Sequence, residues 1–156
     1  VPIRGNVDTR IGRLEKDLDA VILARAGVER LGRLGEATET LDVDVVLPAP
    51  AQGALAVEAV AEGNENCSEE ALYAICVLDH EISHRRAIAE RAVLASLNAG
   101  CTAPVGAYAT EDSFRAGVFA VDGSERVTWS SEGKPTEDIG HQAAEYLRVH
   151  GAMDLM

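Results

Sequence analysis

The sequence predicts an α/β segment followed by a small α+β domain, the latter with a three-stranded antiparallel sheet and helices on one face. Three observations carry that prediction. A compact apolar run, Leu18-Asp19-Ala20-Val21-Ile22-Leu23-Ala24, lies between two short helical patterns. A polar stretch, Glu62 to Asn66, reads as a linker. After Gly100 the apolar period changes from that of a helix to that of a strand.

Taken in order, residues 10–15 and 17–19 are polar around Ile11 and Leu14, a short helical pattern. The run 18–24 reads as a buried strand, because strands covered on both faces are continuously apolar. Residues 26–34 return to helical spacing through Val28, Leu31 and Leu34. Asp42 to Leu47 is a second candidate strand, stopped by Pro48 and Pro50. Ala51 to Ala61 fits either a buried strand or a helix, since periodicity does not decide short apolar runs.

Beyond the linker, Ser68 is an N-cap with Glu69 and Glu70 in the first turn, and Leu72, Ile75 and Cys76 form one apolar face. Asp79 caps a further helix running to about Asn98, with Ile82, Ala89, Val93 and Leu97 inward. Pro104 to Thr110 is strand-like. Phe114, Ala116, Val118 and Ala120 alternate along a second strand and Val127 and Trp129 along a third, with Asp122-Gly123-Ser124 as the hairpin turn. Thr136 opens a last helix striped by Ile139, Ala143, Tyr146 and Leu147 and stopped at Gly151. The boundaries expected are therefore 1–47, 48–67 and 68–156.

Composition narrows the function. The chain has 156 residues, 47% of them hydrophobic, with a formal charge of −12. That is ordinary globular usage, and the acidity argues against nucleic acid as a partner. At 4%, aromatics are too few for a stacking platform. No run is long and apolar enough to span a bilayer and the start has no signal-peptide pattern, so the expectation is a cytoplasmic protein without a membrane partner. Cys67, Cys76 and Cys101 lack CxxC spacing, which fits a reducing compartment. His80, His84, His141 and His150 lack the companions of a metal site, so no metal is expected.

Charge is uneven. Residues 1–35 hold seven of the 14 basic groups against five acids, while the remainder is strongly acidic. Either the first segment meets an anion or it presents a solvated face of mixed charge. Arg4, Arg10 and Arg30 are candidates for binding carboxylates or phosphates, because a guanidinium stays charged and its fork matches those anions. Cys101, behind Gly100 in a loop between helix and strand, can be exposed at low steric cost, the alternative being a small buried hydrophobe.

The words of the sequence decide between these readings. Arg4-Gly5-Asn6-Val7-Asp8-Thr9-Arg10, the run 18–24 with Ala26-Gly27-Val28 and Arg30-Leu31-Gly32, Leu47-Pro48-Ala49, Gln52-Gly53-Ala54-Leu55 with Glu58, Glu90-Arg91-Ala92, and Gly100-Cys101 with Pro104-Val105-Gly106-Ala107-Tyr108 together resemble hydroxymethylbilane synthase, the porphobilinogen deaminase family, over almost the whole chain. The resemblance implies a transferase of tetrapyrrole and haem biosynthesis. Such an enzyme condenses four porphobilinogens, with loss of ammonia, onto a dipyrromethane primer held by a cysteine thioether. It implies that Cys101 carries the dipyrromethane, that Arg4, Arg10 and Arg30 bind the carboxylates of cofactor and substrate, and that Gln52 contacts substrate.

It also implies a periplasmic-binding-protein-like architecture in which this chain starts within the second of three domains. Residues 1–47 would then be the end of an α/β domain, 48–67 a crossing segment and linker, and 68–156 the domain with the cofactor cysteine. The partner so implied is the N-terminal part of the same enzyme. The family's catalytic aspartate matches no residue here, so no catalytic residue is assigned and the fragment is expected to be inactive alone. Ala51 and Ala99 stand where the family more often has glycine. The competing expectation is a carboxylate-binding module with no covalent group.

Overall fold

A computed structural model describes every residue except 1, 2, 15, 62, 65 and 67. The chain divides into two compact units, Val1–Asp42 and Val43–Met156.

The first unit is two short helices and a turn. α1 (Val7–Ile11) begins where the Asn6 side chain accepts the Thr9 amide at 2.8 Å, satisfying one of the donors a helix start leaves open. α2 (Arg25–Arg30) is followed by a 3-10 turn at Leu34–Glu36. The expected buried strand at 18–24 does not form: these residues belong to no strand, and Ile22 is 71% exposed. An apolar run becomes a strand only when a neighbour takes up its amides and carbonyls, and the described residues of this unit supply none. Val28 is the one buried side chain among them.

The second unit contains the core. α3 (Glu69–Leu78) is capped by Ser68 as expected, its hydroxyl accepting the Ala71 amide. The expected apolar face does not join the core: Leu72 and Ile75 are only half-buried and Cys76 is exposed. α4 (Glu81–Ser96) is capped by His80, which accepts the Ser83 amide, and not by the expected Asp79; Asp79 instead pairs with His84 at 2.7 Å.

Three strands follow, β1 (Val105–Ala109), β2 (Ser113–Phe119) and β3 (Arg126–Glu132), antiparallel in the order β1-β2-β3. Tyr108 faces Arg115 across the first pair, and Ala116 faces Trp129 across the second. α5 (Glu137–Val149) opens at Thr136 and stops at Gly151, whose φ is +88°.

Register fixes which face is inside. Ala107 and Ala109 of β1, Phe114, Ala116 and Val118 of β2, and Val127 and Trp129 of β3 lie on one face with Ala89, Val93, Leu97, Ala143 and Leu147 of the two covering helices. α4 and α5 therefore supply the helical layer, while the described side chains of α3 add nothing to it. Tyr146, expected in the inward stripe, is 39% exposed and stacks on His150 at 3.7 Å. The two helices approach closely at Gly140, where a Cβ would stand 2.2 Å from the Ala89 carbonyl oxygen.

The other face of the sheet holds the chain that enters it. Residues 42–47, expected as a strand, form a turn and join no sheet. Leu47 fills the space left by Gly106, where a Cβ would lie 2.9 Å from its Cγ. The Ala107 amide donates to the Pro48 carbonyl at 3.0 Å, and Asp44 pairs with Arg115. Side-chain packing on a flat, glycine-lined patch has replaced strand pairing here. Residues 54–61, expected as strand or helix, are neither and are exposed throughout. With no apolar layer over them among the described residues, apolar burial favours neither regular state.

Candidate functional site

Cys101 sits in a turn fastened at both ends. Upstream, α4 closes with Asn98 in the left-handed region at φ +52°. The Asn98 amide donates to Ala95 and the Ala99 amide to Leu94, at 3.2 and 2.9 Å, which takes up two carbonyls left open at the helix end. The turn itself is closed by Ala103 donating to Gly100 at 3.0 Å. Downstream, the Pro104 carbonyl accepts the Phe119 amide of β2 at 3.0 Å. The thiol is thus presented on a short loop whose two anchors are core elements, and Cys101 is exposed. Gly100 beside it has nothing within 4 Å of where a Cβ would be.

Cys101 shares its exposure with Cys76, so exposure alone does not single it out; the fastened loop does. Cys67 lies outside the described residues.

The arginines belong to the first unit and differ in what they hold. Arg33 is committed to structure: its guanidinium joins Asp8 of α1 to Glu36 beyond α2. Arg13 is likewise paired with Asp17. Both partnerships hold the Asp17 and Glu36 carboxyls below the usual carboxylate range, through hydrogen bonds from Arg13 and Arg33 respectively. Arg4 is exposed ahead of α1, Arg10 lies in the last turn of α1 with its Nε donating to the Gly5 carbonyl at 2.8 Å, and Arg30 is exposed at the end of α2. The Arg33 bridge therefore ties the helix that contains Arg10 to the segment following Arg30, while Arg10 and Arg30 form no ion pair of their own among the described residues.

Gln52 is exposed in the turn 50–53, its amide donating to the Ala49 carbonyl at 3.1 Å. Next to it, Ala51 has φ +60°, a conformation that disfavours a Cβ, and this is the position where the resemblance led one to expect glycine. Sequence reasoning missed Glu90. It is 8% exposed on α4, and its carboxylate accepts the Ala51 amide at 2.6 Å and the Ala109 amide at 2.8 Å. Burial pushes its carboxyl up, and the two amides and Arg86 pull part of the way back. The signal available was an acid between Ala89 and Val93 on the inward stripe of α4.

Among the described residues no group of three or more His, Cys, Asp or Glu side chains could hold a metal ion, and no helix is long and apolar enough to cross a membrane.

With this geometry in hand, comparison with known proteins identifies the class. A family model described as "Porphobilinogen deaminase, dipyromethane cofactor binding domain" matches residues 1–68. A second, "Porphobilinogen deaminase, C-terminal domain", matches residues 84–148 and so includes the Cys101 loop. The porphobilinogen deaminase of Corynebacterium glutamicum is 44% identical over 166 residues, covering 100% of this chain and 53% of that protein. Porphobilinogen deaminase 1 of Streptomyces avermitilis is 43% identical over 172 residues, with 100% and 52% covered. The porphobilinogen deaminase of Mycobacterium avium is 45% identical over 171 residues, with 99% and 53% covered. The chain belongs to the porphobilinogen deaminase family. It spans about half the length of the curated relatives it matches.

Proposed function

We propose that this chain is the C-terminal part of a cytoplasmic hydroxymethylbilane synthase, a transferase of tetrapyrrole biosynthesis, and that Cys101 carries its dipyrromethane cofactor. The observation that carries the reading is the order of the two family matches along the chain, with an exposed and anchored cysteine inside the second. The open space beside Gly100 is compatible with a bulky covalent group on the neighbouring sulfur. When bound, that group supplies the primer on which four porphobilinogens are joined into linear hydroxymethylbilane.

The chain's own residues have simpler tasks. Cys101 supplies a thiolate nucleophile whose thioether, unlike a thioester, is not opened by hydrolysis. Arg4, Arg10 and Arg30 bind acetate and propionate carboxylates by charge-assisted hydrogen bonds, and Gln52 contacts substrate. Residues 1–47 are the end of a periplasmic-binding-protein-like α/β domain, 48–67 cross toward the N-terminal part, and 68–156 form the cofactor-carrying domain. Deamination needs an acid that this chain does not supply, so the chain alone does not turn over porphobilinogen.

The test is intact mass, with a colour reaction for pyrroles, on the full-length enzyme made in a porphobilinogen-producing host. Cys101→Ser should lose the covalent adduct and all turnover, while Cys76→Ser keeps both. An adduct persisting on the Cys101→Ser protein would overturn the assignment of the thiol.

A further inference from the structure

Glu90 is a buried carboxylate that no part of the proposed chemistry uses. Its two oxygens point to two different pieces of chain: Oε1 to the Ala109 amide at the end of β1, and Oε2 to the Ala51 amide in the turn before Gln52. The chain entering this turn is already held at Leu47, against Gly106, and at Pro48, whose carbonyl takes the Ala107 amide. Beyond it, residues 54–61 are exposed and irregular. The Ala51–Glu90 bond therefore fastens the turn that precedes this exposed stretch.

Two further features bear on this fastening. Ala51 holds a left-handed backbone that an alanine adopts only when its surroundings impose it. Glu90 is kept in a nearly dry position where an unsatisfied carboxylate would be heavily penalised, and Arg86, one turn earlier on α4, is the charged group that favours its ionised form. The same helix ends in the Cys101 loop.

We propose that Glu90 is a positioning residue: its carboxylate bridges the Ala51 and Ala109 amides and so fixes the Gln52 turn to the helix that leads into the Cys101 loop. The bridge stands by itself. Its consequence for catalysis, through Gln52, rests on the function proposed above.

Amide hydrogen exchange on the chain of residues 1–156 tests the bridge. In the unsubstituted protein the Ala51 amide should exchange at least about tenfold more slowly than those of Leu55 and Val57. In Glu90→Gln it should accelerate about tenfold or more, while Ala116 and Val118 in β2 keep their protection, because an amide side chain has one acceptor and presents a donor to the other N–H. A Glu90 that only fills space would leave Ala51 protected in this isosteric variant, and that result overturns the bridge. Should the variant fail to fold, the unsubstituted protein decides, since equal rates at Ala51 and Val57 overturn the bridge equally well.

Turnover by the full-length enzyme tests the consequence. Glu90→Gln should raise KM about tenfold with the covalent adduct still present by mass. Unchanged kinetics, or loss of the adduct itself, overturns the positioning role. Failure of the unsubstituted full-length enzyme to consume porphobilinogen would instead sink the function and leave the bridge intact.

Discussion

Residues 1–42 and residues 43–156 are held together by different forces. The first unit buries Val28 alone among its described residues and relies on exposed contacts: the Asn6 cap, the Arg13–Asp17 pair and the Arg33 bridge between Asp8 and Glu36. The second unit closes a shared core of sheet and two helices around Phe114, Leu97 and Leu147. Exposed ion pairs are screened by water and salt, whereas apolar burial is not, so ordering the backbone is offset robustly only in the second unit. Within that unit the same contrast recurs between α4, which is half core, and α3, which is wholly outside it. Sequence length and helix propensity do not make a stable unit; a second layer to pack on does.

Proteolysis should display the difference most strongly. A protease of broad specificity should cut the isolated chain within residues 3–42 and 54–61 about a hundredfold faster than within α4, the sheet or α5, because local opening there needs no loss of core. The resistant product should begin near Asp79, since α3 contributes no side chain to the core, and not near Ser68 as its amphipathic sequence suggests. Mass spectrometry of the fragments reads the boundary. Uniform resistance would mean that the first unit has found a covering surface of its own.

A substitution in the packed unit comes next in size. Gly140→Ala forces a methyl into the Ala89 carbonyl, and the helices must separate. Overpacking of this kind costs about 1 to 3 kcal/mol, and backbone rather than a mobile side chain is in the way here, so the upper end is expected. Denaturant unfolding followed by Trp129 fluorescence should show the loss, with amide exchange in residues 3–42 unaltered.

Acid response gives the smallest effect and sharpens the contrast by sign. Asp17 and Glu36 have lowered carboxyl pKa values when folded. Their contribution is present above the ordinary carboxylate range and disappears as pH falls through the lowered values. Glu90 is raised, so its contribution is fully present below the ordinary value and declines as pH rises through the raised one. Asp122, lowered by its bonds with Ser124, acts in the second unit with the opposite sign to Glu90, so the comparison has to be made against Glu90→Gln. Relative to that variant the unsubstituted chain should gain stability as pH falls through the raised Glu90 value toward the ordinary carboxylate range, while protection in residues 3–42 falls only at lower pH. A parallel response of the two proteins would remove Glu90 from the account.

Much of the second unit was legible because its signals are local. The Ser68 and Thr136 caps, the alternation through Phe114, Ala116 and Val118, the turn at Asp122-Gly123-Ser124 and the stop at Gly151 each act within a few residues, and each has its counterpart in the structure. The choice of His80 over Asp79 as the α4 cap shows how close such competitions run: both side chains can accept an amide, and Asp79 is drawn off by His84. Arg33 is a different kind of miss. Glu36, three residues on, gives it a local partner that Arg30 lacks, but only the approach of Asp8, 25 residues away in sequence, turns it into a strut.

By itself, then, the sequence determined the family, the candidate thiol and arginines, and the secondary structure of residues 105–149, because motif words and short-range hydrogen bonding need no knowledge of distant chain. Three matters were decided only by tertiary structure. The run 18–24 forms no strand because a strand is defined by its neighbour. Residues 42–47 lie in a turn against the sheet because Leu47 meets Gly106, a contact between residues 59 apart in sequence. Glu90 goes inside because two amides, on β1 and in the Ala51 turn, converge on one carboxylate, and no pattern along the chain announces where separate segments will meet.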